Sequence, residues 1–355
     1  MFDPAAFRDL QSGQRRGLSA SMLRGLLHAI AWPYAAAVRW RNRRYDHGAA
    51  RIQQVDATVI SVGNMTLGGT GKTPLVGWLA RWFIEQDVRP AVISRGYGSH
   101  HGRPNDEAVE LQRLLPNVPH LQNPDRIAAA QEAIARFGVE AIVLDDGFQH
   151  RRIARQLDIV LLDALAPFGF ERIFPRGMLR EPLGGLRRAD VVAISRADLV
   201  SPAEREAIWR TVERYAPQAI RAELAHKPCR LRSVQGTESS LESLHDRPVA
   251  AFCGIGNPAG FRRTVESLGC RLVGFREFPD HHRFEPAELD RLAAWASASG
   301  AEAVLCTGKD LAKLTAERLG DCPLWAVEIE LNFLAGRDAL ETRLHKLLAN
   351  RYPNA

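Results

Sequence analysis

Residues 63 to 74 read GNMTLGGTGKTP. They sit between a β-rich apolar run, Ala57 to Val62, and a stretch whose Leu75, Val76, Leu79, Trp82 and Phe83 fall on one helical face. Strand, glycine loop and helix in that order form the opening unit of a nucleotide-binding α/β sheet. The loop meets the pattern G-x-x-x-x-G-K-[ST] at Gly71, Lys72 and Thr73, but Thr66 stands at the first glycine position, and Gly68 and Gly69 lie inside. The chemistry holds on these residues. Glycines let backbone N–H groups curl around phosphates, and the helix start offers the positive end of its dipole. Lys72 can reach the β- and γ-phosphates, and the Thr73 hydroxyl can ligate Mg2+. The nucleotide-binding set is therefore Thr66, Leu67, Gly68, Gly69, Thr70, Gly71, Lys72 and Thr73. Only five of the 47 basic residues are lysine, so a lysine inside this loop carries more information than usual.

At roughly 150 residues per domain, 355 residues imply two domains. Further strand-length apolar runs occur at Pro90 to Ser94, Ala141 to Leu144, Ile159 to Leu162 and Val191 to Ser195. Helical stretches such as Arg126 to Phe137 and Ala203 to Tyr215 lie between some of them, which implies a parallel sheet covered by helices on both faces. Pro228, Gly236 and the Ser/Thr/Glu-rich run from Ser233 to Ser243 read as a linker or short hairpin. A second α/β unit follows, with strands at Val249 to Cys253, Leu272 to Phe275, Ala303 to Cys306 and Trp325 to Val327, and a helix around Phe261 to Leu268. The expected fold class is α/β. It comprises a basic N-terminal segment (1–50), a P-loop NTPase core (51–221), a linker (222–247) and a smaller C-terminal α/β domain (248–355). The five cysteines are odd in number and lack C-x-x-C spacing, and Asp3, Arg8 and Asp9 precede any apolar run. A disulfide scaffold and an exported protein are therefore not expected.

Ala141-Ile142-Val143-Leu144-Asp145-Asp146 is an apolar strand ending in two carboxylates, as in a Walker B site. Strand alternation sends adjacent side chains to opposite faces, so one of Asp145 and Asp146 suffices to touch the ion, and the sequence leaves open which. With Thr73 they form the candidate metal set. Arg95 follows a strand on the phosphate-binding side of such sheets and reads as a phosphate contact or as a surface charge. Arg176, Arg180, Arg187 and Arg188 occupy a Pro/Gly-rich stretch, where they could grip a phosphate or lipid headgroups or form a solvated basic face. Ser195-Arg196-Ala197-Asp198 has the form of a strand-end base-reading motif with Arg for Lys, so it does not separate ATP from GTP.

The net charge of +6 is confined to the start of the chain, where residues 1 to 51 hold nine Arg and three Asp and leave 38 basic and 38 acidic residues elsewhere. Gly25 to Val38 is uncharged for 14 residues, short of the roughly 20 that span a bilayer. Leu23, Leu26, Leu27, Ile30 and Ala31 fall at helical spacing, beside Trp32, Tyr34 and Trp40, and Arg39, Arg41, Arg43 and Arg44 follow. Such a helix suits the headgroup region of an anionic membrane, and the alternative is a helix packed on its own domain. Because the basic excess is mixed with aromatics and aliphatics, a nucleic-acid partner is not expected.

The strings VGNMTLGGTGKTP, ISRGYG, NDEA, LDDGFQHRR, RGMLREPLGGLRRAD, FCGIGNP and FPDHH, in this order, resemble the tetraacyldisaccharide 4′-kinase family, from about Arg15 to about Leu348. The resemblance implies an ATP- and Mg2+-dependent enzyme that phosphorylates the 4′-hydroxyl of a tetraacyldisaccharide 1-phosphate, giving the lipid A precursor lipid IVA. It also implies peripheral or monotopic association with the cytoplasmic leaflet of the inner membrane. In the family an acidic pair follows ISRGYG; the match here is Asp106-Glu107, with Ala108 where Pro is usual. Asp106 is then the base, His281 of FPDHH its partner, and Lys72 the third catalytic residue; Arg95, Glu107 and Arg180 are the substrate contacts. One member of the dyad on each domain would tie catalysis to domain closure. The competing reading is a P-loop GTPase or ATPase switch, or a metallochaperone-type protein, which has no need of FPDHH or of the separate C-terminal domain.

Overall fold

Continuous burial marks the first strands: Thr58–Asn64, Pro90–Ser94, Ala141–Asp145 and Val191–Ser195 are buried at every residue, as parallel strands covered on both faces must be. The structure, a computed structural model, describes residues 4–96, 106–279 and 282–351, without the side chains of 4–6, 8, 106–108, 350 and 351. Along the chain run α1 (Pro4–Ser12), α2 (Leu18–Asp46), β1 (Thr58–Asn64), α3 (Lys72–Glu85), β2 (Pro90–Ser94) and α4 (Asp106–Leu114). There follow β3 (His120–Gln122), α5 (Arg126–Phe137), β4 (Ala141–Asp145), β5 (Leu157–Asp163), β6 (Val191–Ser195), α6 (Pro202–Tyr215) and β7 (Ile220–Arg232). Beyond them lie β8 (Glu238–Ser239), β9 (Pro248–Cys253), α7 (Pro258–Glu266), β10 (Arg271–Glu277) and α8 (Pro286–Ala298). The chain closes with β11 (Ala303–Thr307), α9 (Gly308–Leu311), β12 (Arg318–Leu319), β13 (Cys322–Ala335) and α10 (Arg337–Arg351).

The chain forms two compact units, and neither is a consecutive block. The first takes Met1–Arg95, Val118–Ala225 and Phe333–Ala355; the second takes Gly96–Asn117 and His226–Asn332. This differs from the expected blocks in two places. The segment bearing Asp106 belongs to the second unit, and α10, expected in the C-terminal domain, belongs to the first.

In the first unit the parallel strands stand in the order β7-β6-β5-β1-β4-β2-β3. β1 is flanked by β4 and β5, whereas the chain leaving β1 passes through α3 to β2, beyond β4. A crevice therefore opens at the carboxyl end of β1, where such sheets bind ligands. The register pairs Val62 with Asp145, which sets the end of β4 beside the glycine loop. α10 completes this unit: Leu340 and Leu344 are buried, His345 meets the edge of Trp82 at 5.0 Å, and Phe333 just before it meets Trp78 at 4.8 Å.

The second unit is built on the buried strand β9, flanked in parallel by β10 and β11, with β13 beyond β11. The segment expected as a linker or short hairpin is the end of a 13-residue strand, β7, turned onto β8 as an antiparallel pair. α4 rests on α9.

α2 is 29 residues long, roughly 44 Å at 1.5 Å per residue. Its buried stripe is made of small or polar residues, Ala31, Ala35, Val38 and Asn42, spaced i, i+4, i+7, i+11. Its large apolar side chains face out: Leu18, Met22, Leu26, Ile30, Trp32 and Trp40 are all about half exposed or more, and Met22 and Trp32 each reach 71%. The buried stripe fits a helix packed on its own domain, and the large apolar side chains stand outside that packing. No helix among the described residues is long and apolar enough to cross a membrane.

Candidate active site

Gly71 caps α3 in the left-handed conformation (φ 77°), which sets Lys72 and Thr73 on its first turn. The loop's other left-handed residue is Gly68 (φ 107°). Thr66 needs no such freedom, because the first arm of the loop is held as a strand: Thr66 bridges Leu179, Leu67 N–H donates to the Met178 carbonyl (2.8 Å), and Arg180 N–H donates to that of Met65 (2.8 Å). That pairing is why the first glycine of the pattern is dispensable here. Beneath the loop, Ser195 Oγ donates to the Thr70 carbonyl (2.7 Å) and Arg196 Nη2 to that of Gly69 (3.0 Å), while Arg196 Nε is held by Asp163 (2.8 Å). The Thr70 hydroxyl is buried with no partner among the described residues.

Lys72 Nζ lies 3.5 Å from Asp146 Oδ1 and 3.4 Å from Asn64 Oδ1. Arg180 Nη1 donates to both oxygens of Asp146, at 2.8 and 2.7 Å. Burial by itself would raise the Asp146 carboxyl, but Lys72 and Arg180 outweigh it and hold the group below its ordinary value. Asp146 is left-handed (φ 54°), on a turn packed hard against β1. A Cβ on Gly147 would stand 2.8 Å from Ser61 Oγ, and one on Gly63 2.5 Å from the Phe148 Cβ. Asp145, 3% exposed, ends β4 one residue earlier.

Of the arginines in the Pro/Gly-rich stretch, Arg180 is on Asp146, Arg176 donates to the Gln11 carbonyl (2.9 Å), Arg187 pairs with Asp46, and Arg188 grips both oxygens of Glu181 (2.9 and 3.0 Å). They are therefore engaged within the unit, Arg187 with more than half of its side chain exposed. Arg95 follows β2 directly and is exposed. The side chains of Asp106 and Glu107 and the whole of His281 lie outside the described residues. Asp106 opens α4 in the second unit, so the expectation that the dyad is split with its base in the P-loop domain gives way.

The family model described as Tetraacyldisaccharide-1-P 4'-kinase matches residues 23–349. This chain belongs to that family. It is 40% identical over 332 residues to the tetraacyldisaccharide 4'-kinase of Anaeromyxobacter dehalogenans strain 2CP-C, covering 88% of this chain and 87% of that one. It is 38% identical over 331 residues to that of Syntrophus aciditrophicus, covering 86% and 88%. Among solved structures, LpxK from Aquifex aeolicus in complex with ATP is similar at 29% identity with a TM-score of 0.72, over 92% of this chain and 99% of that one. The expected fold class stands: a mostly parallel P-loop-type sheet with helices and an N-terminal helix.

Sequence reading missed one residue that supports this site. Glu181, fully buried, accepts from Arg188, from Asn42 Nδ2 of α2 (2.8 Å) and from Gln149 Nε2 (3.1 Å), which also donates to the Asn64 carbonyl (2.9 Å). It stands within the string RGMLREPLGGLRRAD, but only its burial and its partners mark what it does.

Proposed function

We propose that the chain transfers the γ-phosphoryl group of ATP to the 4′-hydroxyl of a tetraacyldisaccharide 1-phosphate, the activity its family is named for, at the surface of a membrane. The observation that carries the reading is the meeting of Lys72, Asp146 and Arg180 at the mouth of a glycine loop, in a chain of this family. Two cations and a run of backbone N–H groups can stabilise the charge that spreads over the transferring phosphoryl oxygens. A new bond forms between the 4′ oxygen and Pγ, the Pγ–O bond to ADP breaks, and the hydroxyl proton leaves to a base.

The family resemblance supports Asp106 as that base and His281 as the residue that orients it, with Glu107 and Arg95 as substrate contacts. The Thr73 hydroxyl and the carboxylates of Asp145 and Asp146 are hard oxygen donors of the kind Mg2+ takes. Asp146 is also paired with Lys72 and Arg180, so whichever carboxylate meets the ion, these two cations lie beside it. Bound there, Mg2+ would supply neutralisation of the negative charge on the nucleotide's phosphates.

The outward-facing apolar side of α2, followed by Arg39, Arg41, Arg43 and Arg44, supports docking on an anionic leaflet. ATP supply favours the cytoplasmic leaflet of the inner membrane. Incubation with ATP, Mg2+ and a defined tetraacyldisaccharide 1-phosphate in mixed micelles should add the mass of one phosphate to the lipid. An unchanged lipid beside a protein that binds ATP would overturn the reading.

A further inference from the structure

Arg126 is the first residue of α5 and is 3% exposed. A guanidinium is rarely buried without a partner, because losing water costs several kcal/mol unless an anion replaces it. No carboxylate pairs with it among the described residues. Its Nη1 reaches only the carbonyls of Asn123 and Pro124, both at 3.4 Å, and its Nε is buried with no acceptor. The start of a 12-residue helix adds the positive end of a dipole to the same place.

The sheet register fixes where this charge sits. Ile93 pairs with Leu144 and Ser94 with Gln122, and Asn123 N–H donates to the Ser94 carbonyl (3.1 Å). The carboxyl ends of β2, β3 and β4 therefore share one edge of the first unit. Arg126 accordingly feels Asp146 and Asp145 as well as Arg95. On the turn after β4, His150 is a second orphan: its Nε2 is buried without a partner among the described residues. Burial, then Arg126, Arg152 and Arg155, push His150 down to about 4, so it is neutral near pH 7 and can donate one N–H.

We propose that Arg126 is a further catalytic residue, whose guanidinium, with the His150 ring beside it, contacts the oxygens of the phosphoryl group in transfer. The proposal rests on the kinase reading above. It explains why a buried cation keeps open donors at a helix start beside the Asp145–Asp146 pair: the negatively charged oxygens of an incoming phosphoryl group satisfy them. A planar fork matches phosphate oxygens better than an ammonium does, and charge-stabilising arginines in phosphoryl transfer are worth about 10³ to 10⁵ in turnover.

The test compares wild type, Arg126→Gln, Arg126→Lys and Arg126→Gly for lipid phosphorylation, ATP affinity and thermal midpoint. Arg126→Gln should lower kcat by about 10² or more while ATP affinity changes less than about fivefold. Arg126→Lys keeps the charge and should still lose about tenfold or more. Added methylguanidinium should restore turnover to Arg126→Gly by about tenfold, an effect a purely structural arginine would not show. The proposal is overturned if Arg126→Gln or Arg126→Lys turns over within about threefold of wild type. It is equally overturned if lost activity only follows a lower thermal midpoint and methylguanidinium restores none. If wild type itself leaves the lipid unchanged, the kinase reading fails as well, so the two failures are separable.

Discussion

Lys72 is held between the Asn64 amide oxygen and Asp146, so its ammonium is fixed at the mouth of the glycine loop. Lys72→Ala should therefore lower turnover by about 10² to 10³ with the fold intact, as measured by steady-state transfer and thermal melting. Near-normal turnover would remove Lys72 from the site. Asp106→Ala and His281→Ala should each reduce kcat more than lipid binding, and the double variant should lose little beyond the worse single one, because residues acting as a unit are not additive. Multiplicative losses would mean that they act separately. His150 gives a pH test. Its folded value, about 4, lies below the ordinary 6.5, so the folded state prefers the neutral ring. The stability tied to that preference is fully present above about pH 6.5 and is lost as pH falls toward 4. The charges facing the ring are Arg126, Arg152 and Arg155, opposed by Asp125. Asp158, raised to about 6 chiefly by burial, has the opposite sign, since its strain is relieved as pH falls through that value. The comparison must therefore be with a variant. Urea midpoints at pH 7 and pH 4.5 should fall less for His150→Asn than for wild type, and equal falls would show that the ring titrates normally.

Elements with local stop signals were legible in the sequence. The limits of α5 were readable because Asp125 caps it, accepting from the N–H groups of Ile127 and Ala128, and Gly138 ends it in the left-handed conformation. β2 and β6 were readable because they are buried apolar runs. β7 was not, and β13 was read only at Trp325 to Val327, since both are long strands whose residues switch between buried and exposed, and Pro228 within β7 reads as a break. In the site, Lys72 and the Asp145–Asp146 pair carry a motif, whereas Glu181 and Arg126 are charged residues that a sequence places on the surface by default. α2 was ambiguous for a physical reason: its small residues satisfy the fold and its large ones do not. Changing Leu23, Leu26 and Ile30 together to Ser should leave thermal stability nearly unchanged, because these side chains are exposed. It should weaken binding to anionic vesicles about tenfold or more, taking roughly 1 kcal/mol for each shallowly buried side chain. Unaltered co-sedimentation would show that this face does not meet lipid.

At the scale of the whole molecule, the first unit is assembled from three stretches of chain, the last of which begins at Phe333. Cutting after Asn332 removes α10, with its buried Leu340 and Leu344 and the edge contact of His345 on Trp82. That loss is on the order of 5 kcal/mol, a large part of ordinary domain stability. The truncated chain should melt well below full length and bind ATP poorly, although the glycine loop is untouched; an unchanged melting temperature would show α10 to be dispensable. The same architecture orders events during synthesis. α2, with its apolar side out, leaves the ribosome before the glycine loop, while the helix that covers Trp82 follows every strand of the sheet. Through most of translation the nucleotide-binding strands must wait unfinished, with apolar surface uncovered. A newborn chain of this kind can thus meet a membrane before it can hold ATP, and its demand for chaperones should peak between the emergence of β6 and that of α10.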